Sequence, residues 1–460
     1  MNKINPLIFR AYDIRGVYPT DINEEFAYIL GRSFGTYISN MGMTKAVIGY
    51  DNRESSPILC DSLIKGITST GVDVIKLGLV TTPMFYFARY HLNIWSGIMI
   101  TASHNPSDHN GFKMSFDNKG NALGDEIKEF YNFTVAGEFK DGNGKIEEYD
   151  IKEEYIKNIK ESLQFGDKKI KVVVDCGNGT VGNFIDDILR QLPIEYKLLY
   201  AESDPTFPNH HPDPSVPENM RDLQKTVVEL GYDLGIGLDA DGDRVGIVDN
   251  LGNIISSDLF LVIMYRFLQD KLEDKTALYD VKCSKALVDD LERMGYNQIM
   301  YRTGNSYLYR KTHEEDVALS GEYSGHIFFN DRYPGIDDGI YAGLRMAEVL
   351  SITGKTIREL LEGVNKYYST PEIKITVSDT AKFELMNTIK ENVKKKDLRI
   401  NDIDGVRIEG EDYWVLIRVS NTTPSLTMRF EAKTESLLME IKKEYLELVN
   451  SIMIEKVIIK

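Results

Sequence analysis

Cysteine is scarce in this chain of 460 residues. There are three, Cys60, Cys176 and Cys283, far apart and odd in number. No CxxC pair occurs and histidine numbers only seven, which argues against a Cys/His zinc site. Buried thiols in a reducing compartment are expected instead. Long apolar runs are missing as well. The longest, LFLVIMY at 259–265, is too short to cross a bilayer, and the opening MNKINPLIFR has no apolar signal core. A soluble cytoplasmic protein with no membrane partner is expected. Positive charge is in deficit: the net charge is −17 and no basic run appears, which argues against a nucleic-acid partner. An anionic substrate would therefore need a local cluster of Arg and Lys to override the global field. Two common catalytic signatures are absent. Ser103 has no GxSxG elbow around it, and Gly354-Lys355-Thr356 has Val349 where a P-loop needs its first glycine.

What is present suffices for several packed cores: 42% of residues are hydrophobic and 27% charged. The length suggests about three domains at ~150 residues each. Three stretches share a form: KAVIGYDNRESS (45–56), IKVVVDCGNGTVG (170–182) and TALYDVKCSKAL (276–287). Each runs from an apolar strand to an aspartate (Asp51, Asp175, Asp280), then a polar turn, then an expected helix. Continuous apolar runs suit strands covered on both faces, so similar α/β units are expected. The last section differs. YWVLIRVS (413–420) and SLTMRFEA (425–432) read as strands, and 434–453 as a helix with Leu438, Ile441, Tyr445, Leu448 and Ile452 at helical spacing. A small α+β domain is expected there. DPTFPNHHPDPSVPEN (204–219) reads as an ordered loop, with His210 and His211 as turn scaffolding rather than metal ligands.

Four motifs carry chemistry. In GLDADGDRVGIVD (237–249), Asp239, Asp241 and Asp243 alternate between two apolar strands. Three carboxylates so spaced can converge on a hard cation or form a solvated acidic turn; the first is favoured, because they repel one another unless something neutralises them. An EF-hand does not fit, because Arg244 and Asn250 stand where that loop wants Gly and Glu. In MITASHNPSDHNGFK (99–113), adjacent Ser103 and His104 would point apart in an extended chain, which disfavours a Ser–His hydrolase. A turn hydroxyl or a phosphorylated serine remain, and the latter would suit a Mg²⁺ held by the aspartates. RVSNTTPSLTMR (418–429) packs Arg418, Ser420, Asn421, Thr422 and Thr423 between two strands, with Arg429 on the second. Such a loop grips a phosphate or is ordinary turn chemistry. In GEYSGHIFF (321–329), Glu322, Ser324 and His326 share a face if extended, and that face could read sugar hydroxyls or be the wet side of an edge strand.

Together these motifs resemble the α-D-phosphohexomutase family, and within it the mannose/glucose branch. The likeness runs the whole length: FRAYDIRG (9–16), TASHNP (101–106), DADGDR (239–244), GEYSGH (321–326) and SNTTP (420–424), in the family's order. The resemblance implies an α/β fold: three similar α/β domains with mixed sheets and a smaller α+β C-terminal domain around a central cleft. The expected domains are 1–148 with the phosphoserine loop, 149–252 with the metal loop, 253–367 with the sugar loop and 368–460 with the phosphate loop. It implies that Ser103 is carried as a phosphoserine, and that Mg²⁺ is held by Ser103, Asp239, Asp241 and Asp243. It places Arg15, Lys113 and Arg244 near the transferring phosphoryl, with Lys113 and His326 as candidates for proton transfer. Glu322, Ser324 and His326 would read the sugar. Arg418, Ser420, Asn421, Thr422 and Arg429 would bind the substrate's own phosphate. Tyr12 and Lys282 lie in matching motifs. Thr303, Gly304 and Asn305 lie in RTGNSYL (302–308), where Asn305 stands at a position usually occupied by His. Tyr323 is neither the Met nor the Gln common at its position.

The implied activity is reversible phosphoryl transfer between O1 and O6 of mannose and glucose phosphates, through a hexose 1,6-bisphosphate that also serves as activator. The alternatives are phosphoglucosamine mutase and, in another class, a metal-dependent sugar phosphatase. A non-catalytic sugar-phosphate sensor would be expected to lack the nucleophile or a metal ligand, and this chain has both. A monomer or weak oligomer acting on hexose phosphates is expected.

Overall fold

The computed structural model describes residues 4–378, 381–395, 398–420 and 425–455. It divides into two compact units, Met1–Phe267 with Gly304–Leu360, and Leu268–Thr303 with Leu361–Lys460.

In the first unit, KAVIGY forms the strand Lys45–Tyr50, buried on both faces apart from its ends. It lies between the parallel strands Asp73–Leu79 and Gly97–Ile100. Beyond Gly97–Ile100 the pairing turns antiparallel, first to His109–Asp117 and then to Ile14–Val17. This mixed sheet carries the Ser103 loop at the carboxyl end of a buried strand, where open α/β sheets place their ligands. The helices Glu24–Asn40 and Ser56–Thr68 cover one face. Asn23 caps the first by accepting from the Phe26 N–H, and Glu24 and Glu25 complement its dipole. The two helices touch through backbone: a Cβ on Gly31 would lie 2.2 Å from Leu63 O, and one on Gly66 2.2 Å from Tyr28 O. Only glycine permits that approach.

A second sheet runs in the order Ile254–Ile255, Val245–Asp249, Leu234–Leu238, Ile170–Asp175, Ile194–Leu199. Leu234–Leu238 and Val245–Asp249 form an antiparallel hairpin with Leu238 opposite Val245. Its tip, 239–244, is the aspartate loop. The strand-end aspartates take different partners. Asp51 accepts from Arg53 and the Ser56 hydroxyl, while Asp175 accepts from the Gly177 N–H and faces His210 Nε2 at 3.0 Å. His210 is thus loop scaffolding, as the sequence suggests.

Leu319–Gly321 and Ile327–Phe329 form a short antiparallel hairpin, followed by the helix Gly339–Thr353. That helix is buried on nearly every side, including Arg345, which donates two bonds to Asp331 at 2.8 and 2.9 Å. Burial would raise the Asp331 pKa, but Arg345 outweighs it and holds the carboxyl below its ordinary value. A depressed carboxyl pKa gives stability that is present above the unfolded value of about 3.9 and lost as pH falls through the lower folded value. Asp331→Asn leaves Arg345 without its main counter-ion. It should lower stability at pH 7 by about 3–5 kcal/mol and flatten the loss of stability below pH ~4. Unfolding followed by circular dichroism across pH 3–7 checks both, and an unchanged acid limb would refute this role for the pair.

In the second unit, Thr276–Asp280 and Asn297–Tyr301 pair in parallel around the helix Lys285–Met294. A further sheet orders Tyr368–Ser369, Ser425–Ala432, Tyr413–Val419, Val406–Glu409 and Arg399–Asn401, with Ile373–Thr376 also on Ser425–Ala432. The helices Ala381–Lys394 and Glu435–Glu455 belong to this sheet's part of the unit, and Leu438, Ile441 and Tyr445 enter its core as their spacing suggests. Among the described residues, no helix is long and apolar enough to cross a membrane.

Candidate active site

The first unit gathers three loops, each leaving a buried strand: 101–108, 239–244 and 322–326. Ser103 is 3% exposed, with φ +48°. This left-handed conformation is uncommon for a non-glycine residue and accumulates at functional sites. It overturns the extended geometry expected from sequence: Ser103 Oγ lies 3.2 Å from His104 Nδ1 instead of pointing away. The same oxygen donates to Asp239 Oδ2 at 2.9 Å. Burial, with help from Arg244 and Arg15, pushes the His104 pKa well below its ordinary value, so the ring is neutral.

Asp239, Asp241 and Asp243 are fully buried, with carboxylate oxygens within 4.8 Å of one another. Burial and the other two carboxylates push the Asp239 pKa well up. Asp241 is pulled down: burial opposes its charge, but Lys113 and the Thr82 hydroxyl outweigh that. Lys113 Nζ donates to Asp241 Oδ2 at 2.9 Å and Asp243 Oδ2 at 2.5 Å. Burial works against its charge, yet these two aspartates hold its pKa well above the ordinary value. Lys113 is therefore a fixed ammonium here. Asp241 Oδ1 and Asp243 Oδ1 are buried with no hydrogen-bond partner. Three carboxylates, two orphaned oxygens and one compensating lysine form an oxygen-rich, under-neutralised cradle that fits a hard divalent cation.

Strand pairing explains why distant residues meet here. Arg15 lies opposite Gly111 and Lys113 opposite Met99. Arg15 donates to Asp13, to Ala102 O at 3.1 Å and to Asn105 Oδ1 at 2.5 Å, which ties it to the Ser103 loop. Arg244 Nε sits 4.0 Å from Asp239 Oδ2 and donates to His326 Nε2 at 2.9 Å.

Glu322 and His326 do not stand on an extended strand as expected. They flank a tight turn: the Glu322 N–H donates to His326 O at 2.8 Å, and Gly325 has φ +97°. A Cβ on Gly325 would lie 2.6 Å from Val245 O, which presses the turn onto the strand after the aspartate loop. Ser324 Oγ donates to Glu322 Oε2 at 2.8 Å, and the Gly304 N–H donates to Glu322 Oε1. Tyr12 packs near Gly304, and burial raises its pKa, with Asp13 and Glu322 adding to the effect. Asn305 donates to Asp337 Oδ2 at 3.0 Å.

The remaining expected residues lie in the second unit. Arg418 Nε donates to Asp404 at 2.9 Å, and Thr303 donates to Asp404 and Asp280. Lys282 Nζ is 3.4 Å from Glu372, and Arg429 donates to Lys282 O. Lys282 chiefly, against burial and with Arg418 and Arg429 contributing, holds Glu372 below its ordinary pKa, so these three buried cations converge. Ser420 closes the hairpin by donating its N–H to Ser425 O at 2.9 Å. Asn421 and Thr422 lie outside the described residues.

Sequence reasoning missed Arg53. Its side chain has no solvent exposure, and it donates to the carbonyls of Ser103, Asn105, Pro106 and His109 as well as to Asp51. The signal was available: Arg53 follows the strand-end Asp51 by two residues.

Models of the phosphoglucomutase/phosphomannomutase family match the chain along its length. The alpha/beta/alpha domains I, II and III match residues 6–141, 153–252 and 256–367, and the C-terminal domain matches 372–448. The chain belongs to the α-D-phosphohexomutase family. It is accordingly a mutase, of the isomerase class, with the four-domain architecture of mixed sheets and helices. It is 40% identical to the phosphomannomutase/phosphoglucomutase of Pseudomonas putida over 95% of this chain and 94% of that one. It is 36% identical to a phosphoglucomutase of Neisseria meningitidis, over 96% and 97%. A crystal structure of a phosphoglucomutase/phosphomannomutase family protein from Burkholderia thailandensis superposes with a TM-score of 0.90 at 34% identity, covering 98% of each chain. The family is metal-dependent, and the aspartate cradle is a group that can hold a metal ion.

Proposed function

We propose that this mutase interconverts the 1- and 6-phosphates of mannose and glucose, through a phosphorylated Ser103 and a hexose 1,6-bisphosphate. The observation that carries the reading is the Ser103 hydroxyl bonded to Asp239 within a cradle of three carboxylates, flanked by Lys113, Arg15 and Arg244.

Mg²⁺ is the proposed resident ion, held by Asp239, Asp241, Asp243 and the Ser103 phosphate, and when bound it supplies neutralisation of charge on the transferring phosphoryl. The chain's own groups do the rest. Arg15 and Lys113 fix cationic donors beside the serine loop. In the forward step the Ser103 Oγ–P bond breaks as a P–O bond forms to the sugar hydroxyl, whose proton leaves to a base while the Ser103 oxygen takes up a proton and becomes a hydroxyl again. Of the two candidates for that proton, Lys113 is held as an ammonium and His326 Nε2 already accepts from Arg244 Nε, so His326 can serve only once Arg244 turns off Nε2. The bisphosphate turns over and returns its other phosphoryl to Ser103.

Glu322 and Ser324 are proposed to read the sugar hydroxyls. Tyr12, Gly304 and Asn305 would line the same place. Lys282, Thr303, Arg418, Ser420, Asn421, Thr422 and Arg429 are proposed to hold the non-reacting phosphate. The converging charge of Lys282, Arg418 and Arg429 supports this, since it is the local cationic cluster that a net charge of −17 demands. One functional loop then comes from each of the segments 1–148, 149–252, 253–367 and 368–460. A cytoplasmic monomer or weak oligomer, with no nucleic-acid or membrane partner, completes the proposal.

The test is ³¹P NMR of the protein with Mg²⁺ and trace glucose 1,6-bisphosphate, supplied separately with glucose, mannose and glucosamine 1-phosphates. Conversion of the first two to 6-phosphates without free phosphate is expected. Conversion of the amino sugar alone, or accumulation of inorganic phosphate, would overturn the reading.

A further inference from the structure

The sheet of the last section has two unlike sides. Successive strand residues point to opposite sides, and residues directly opposite on neighbouring strands share one. Val406, Ile408, Val415, Ile417, Met428 and Phe430 take one side and enter the apolar core. On the other side Arg407 lies opposite Leu416, and Leu416 opposite Arg429, with Arg418 two residues further along the middle strand. Arg418 and Arg429 are proposed above to hold the non-reacting phosphate. Arg407 has no part in that reading, yet it is 1% exposed. A guanidinium so buried is costly unless its donors are met.

Its donors go to the segment that carries Lys282. Arg407 Nη1 donates to Val281 O at 2.6 Å and to Cys283 O at 2.8 Å, the two carbonyls that flank Lys282. Arg429 donates to the carbonyl between them, Lys282 O. Three consecutive carbonyls are thus held by two arginines from one side of the sheet. Arg407 is itself held in place. Its Nε donates to Glu409 Oε1 at 3.0 Å, and its guanidinium carbon lies 4.1 Å from the centre of the Trp414 ring. Trp414 packs with Val281 and Leu416, and its indole N–H donates to Glu431 Oε1 at 2.7 Å. That same oxygen accepts from the Lys285 N–H at 2.7 Å, where the next helix begins. We infer that Arg407 is a positioning residue: by holding the carbonyls on either side of Lys282, it sets that lysine against the phosphate that Arg418 and Arg429 hold. This role rests on the mutase reading above for its catalytic meaning.

Lys282 needs such support. Its ammonium is a point charge on a flexible stem, and it stands 3.4 Å from Glu372, a carboxylate that competes for it. Only a fixed main chain keeps the ammonium available to a ligand. The segment Leu268–Thr303 accordingly falls in the same compact unit as Leu361–Lys460.

The experiment is a double-mutant cycle on the full chain. Binding is read by calorimetric titration with glucose 1-phosphate in EDTA, to keep transfer from running, and turnover by steady-state kinetics with Mg²⁺. Arg407→Met and Lys282→Ala should each weaken binding by about 10–100-fold, the loss of one charge-assisted contact. In the double variant the losses should not add, because without the ammonium its support has nothing to position. In Arg407→Met, KM should rise in step with the dissociation constant while kcat stays within about threefold, since a phosphate that is not transferred is gripped alike before and during the reaction. Arg407→Lys, which keeps a cationic donor near the two carbonyls, should recover part of the loss. A folded Arg407→Met with wild-type affinity, or losses that add in the double variant, would overturn the inference. If the methionine variant does not fold, the cycle with Arg407→Lys, expected to show a smaller loss, decides by the same criterion. Coupled losses of binding in a protein without mutase turnover would refute the proposed activity and leave the positioning role standing. Mutase turnover with additive losses would do the reverse.

Discussion

Ser103→Ala should lower mutase turnover by on the order of 10⁴-fold or more, as expected when a covalent nucleophile is removed. Its fold should survive. The substitution removes one buried hydroxyl and its bond to Asp239, worth about 1 kcal/mol. The backbone at position 103 stays at φ +48°, which alanine tolerates no better than serine. Ser103→Gly should therefore be equally inactive but more stable than Ser103→Ala by about 1 kcal/mol, because glycine adopts this conformation without penalty. Steady-state turnover and urea unfolding of both variants measure the two effects separately. Retained turnover in either variant would remove Ser103 from the chemistry. Equal stability of the two would remove the claim of strain.

The second large effect is expected at Arg53. Its guanidinium reaches four carbonyls of the segment 103–109 and the Asp51 carboxylate, in a place closed to water. Burial lowers its pKa, and Asp51 opposes that shift, so the charge depends on its partner. Arg53→Met leaves Asp51 buried without its counter-ion and several carbonyls unsatisfied, a loss of about 3–5 kcal/mol. Arg53→Lys should recover little. An ammonium is a point donor and cannot span carbonyls spread across a loop as a planar fork does. Because the same loop carries Ser103, even a folded lysine variant should lose about 10²-fold in kcat through misplacement of the hydroxyl. Thermal unfolding and kinetics of the two variants test this, and wild-type turnover in Arg53→Lys would contradict it.

Much of this was legible in the chain. The buried strands Lys45–Tyr50, Ile170–Asp175 and Thr276–Asp280 announce themselves as apolar runs ending at or beside an aspartate. The hairpin around Asp239, Asp241 and Asp243 follows from two apolar strands separated by a short acidic loop. Local geometry was less legible where glycine or strain governs it. Nothing in the letters SHN announces a left-handed Ser103, which is what brings its hydroxyl to His104. Alternation of polar residues at 322–326 mimics a strand, whereas Gly325 with positive φ folds the segment back into a turn. Arg53 was legible only in part: its pairing with Asp51 two residues earlier is a local signal, but its carbonyl partners in the serine loop are remote in sequence and leave no spacing pattern.

The central claim is that Ser103 carries the phosphoryl group. The most direct measurement is transfer of label from glucose 1,6-bisphosphate bearing ³²P to the dephosphorylated protein, followed by proteolysis and mapping of the labelled peptide. The account predicts label on Ser103, chased into sugar phosphate when unlabelled glucose 1-phosphate is added. Label on another residue, or turnover with no labelled protein, would contradict it.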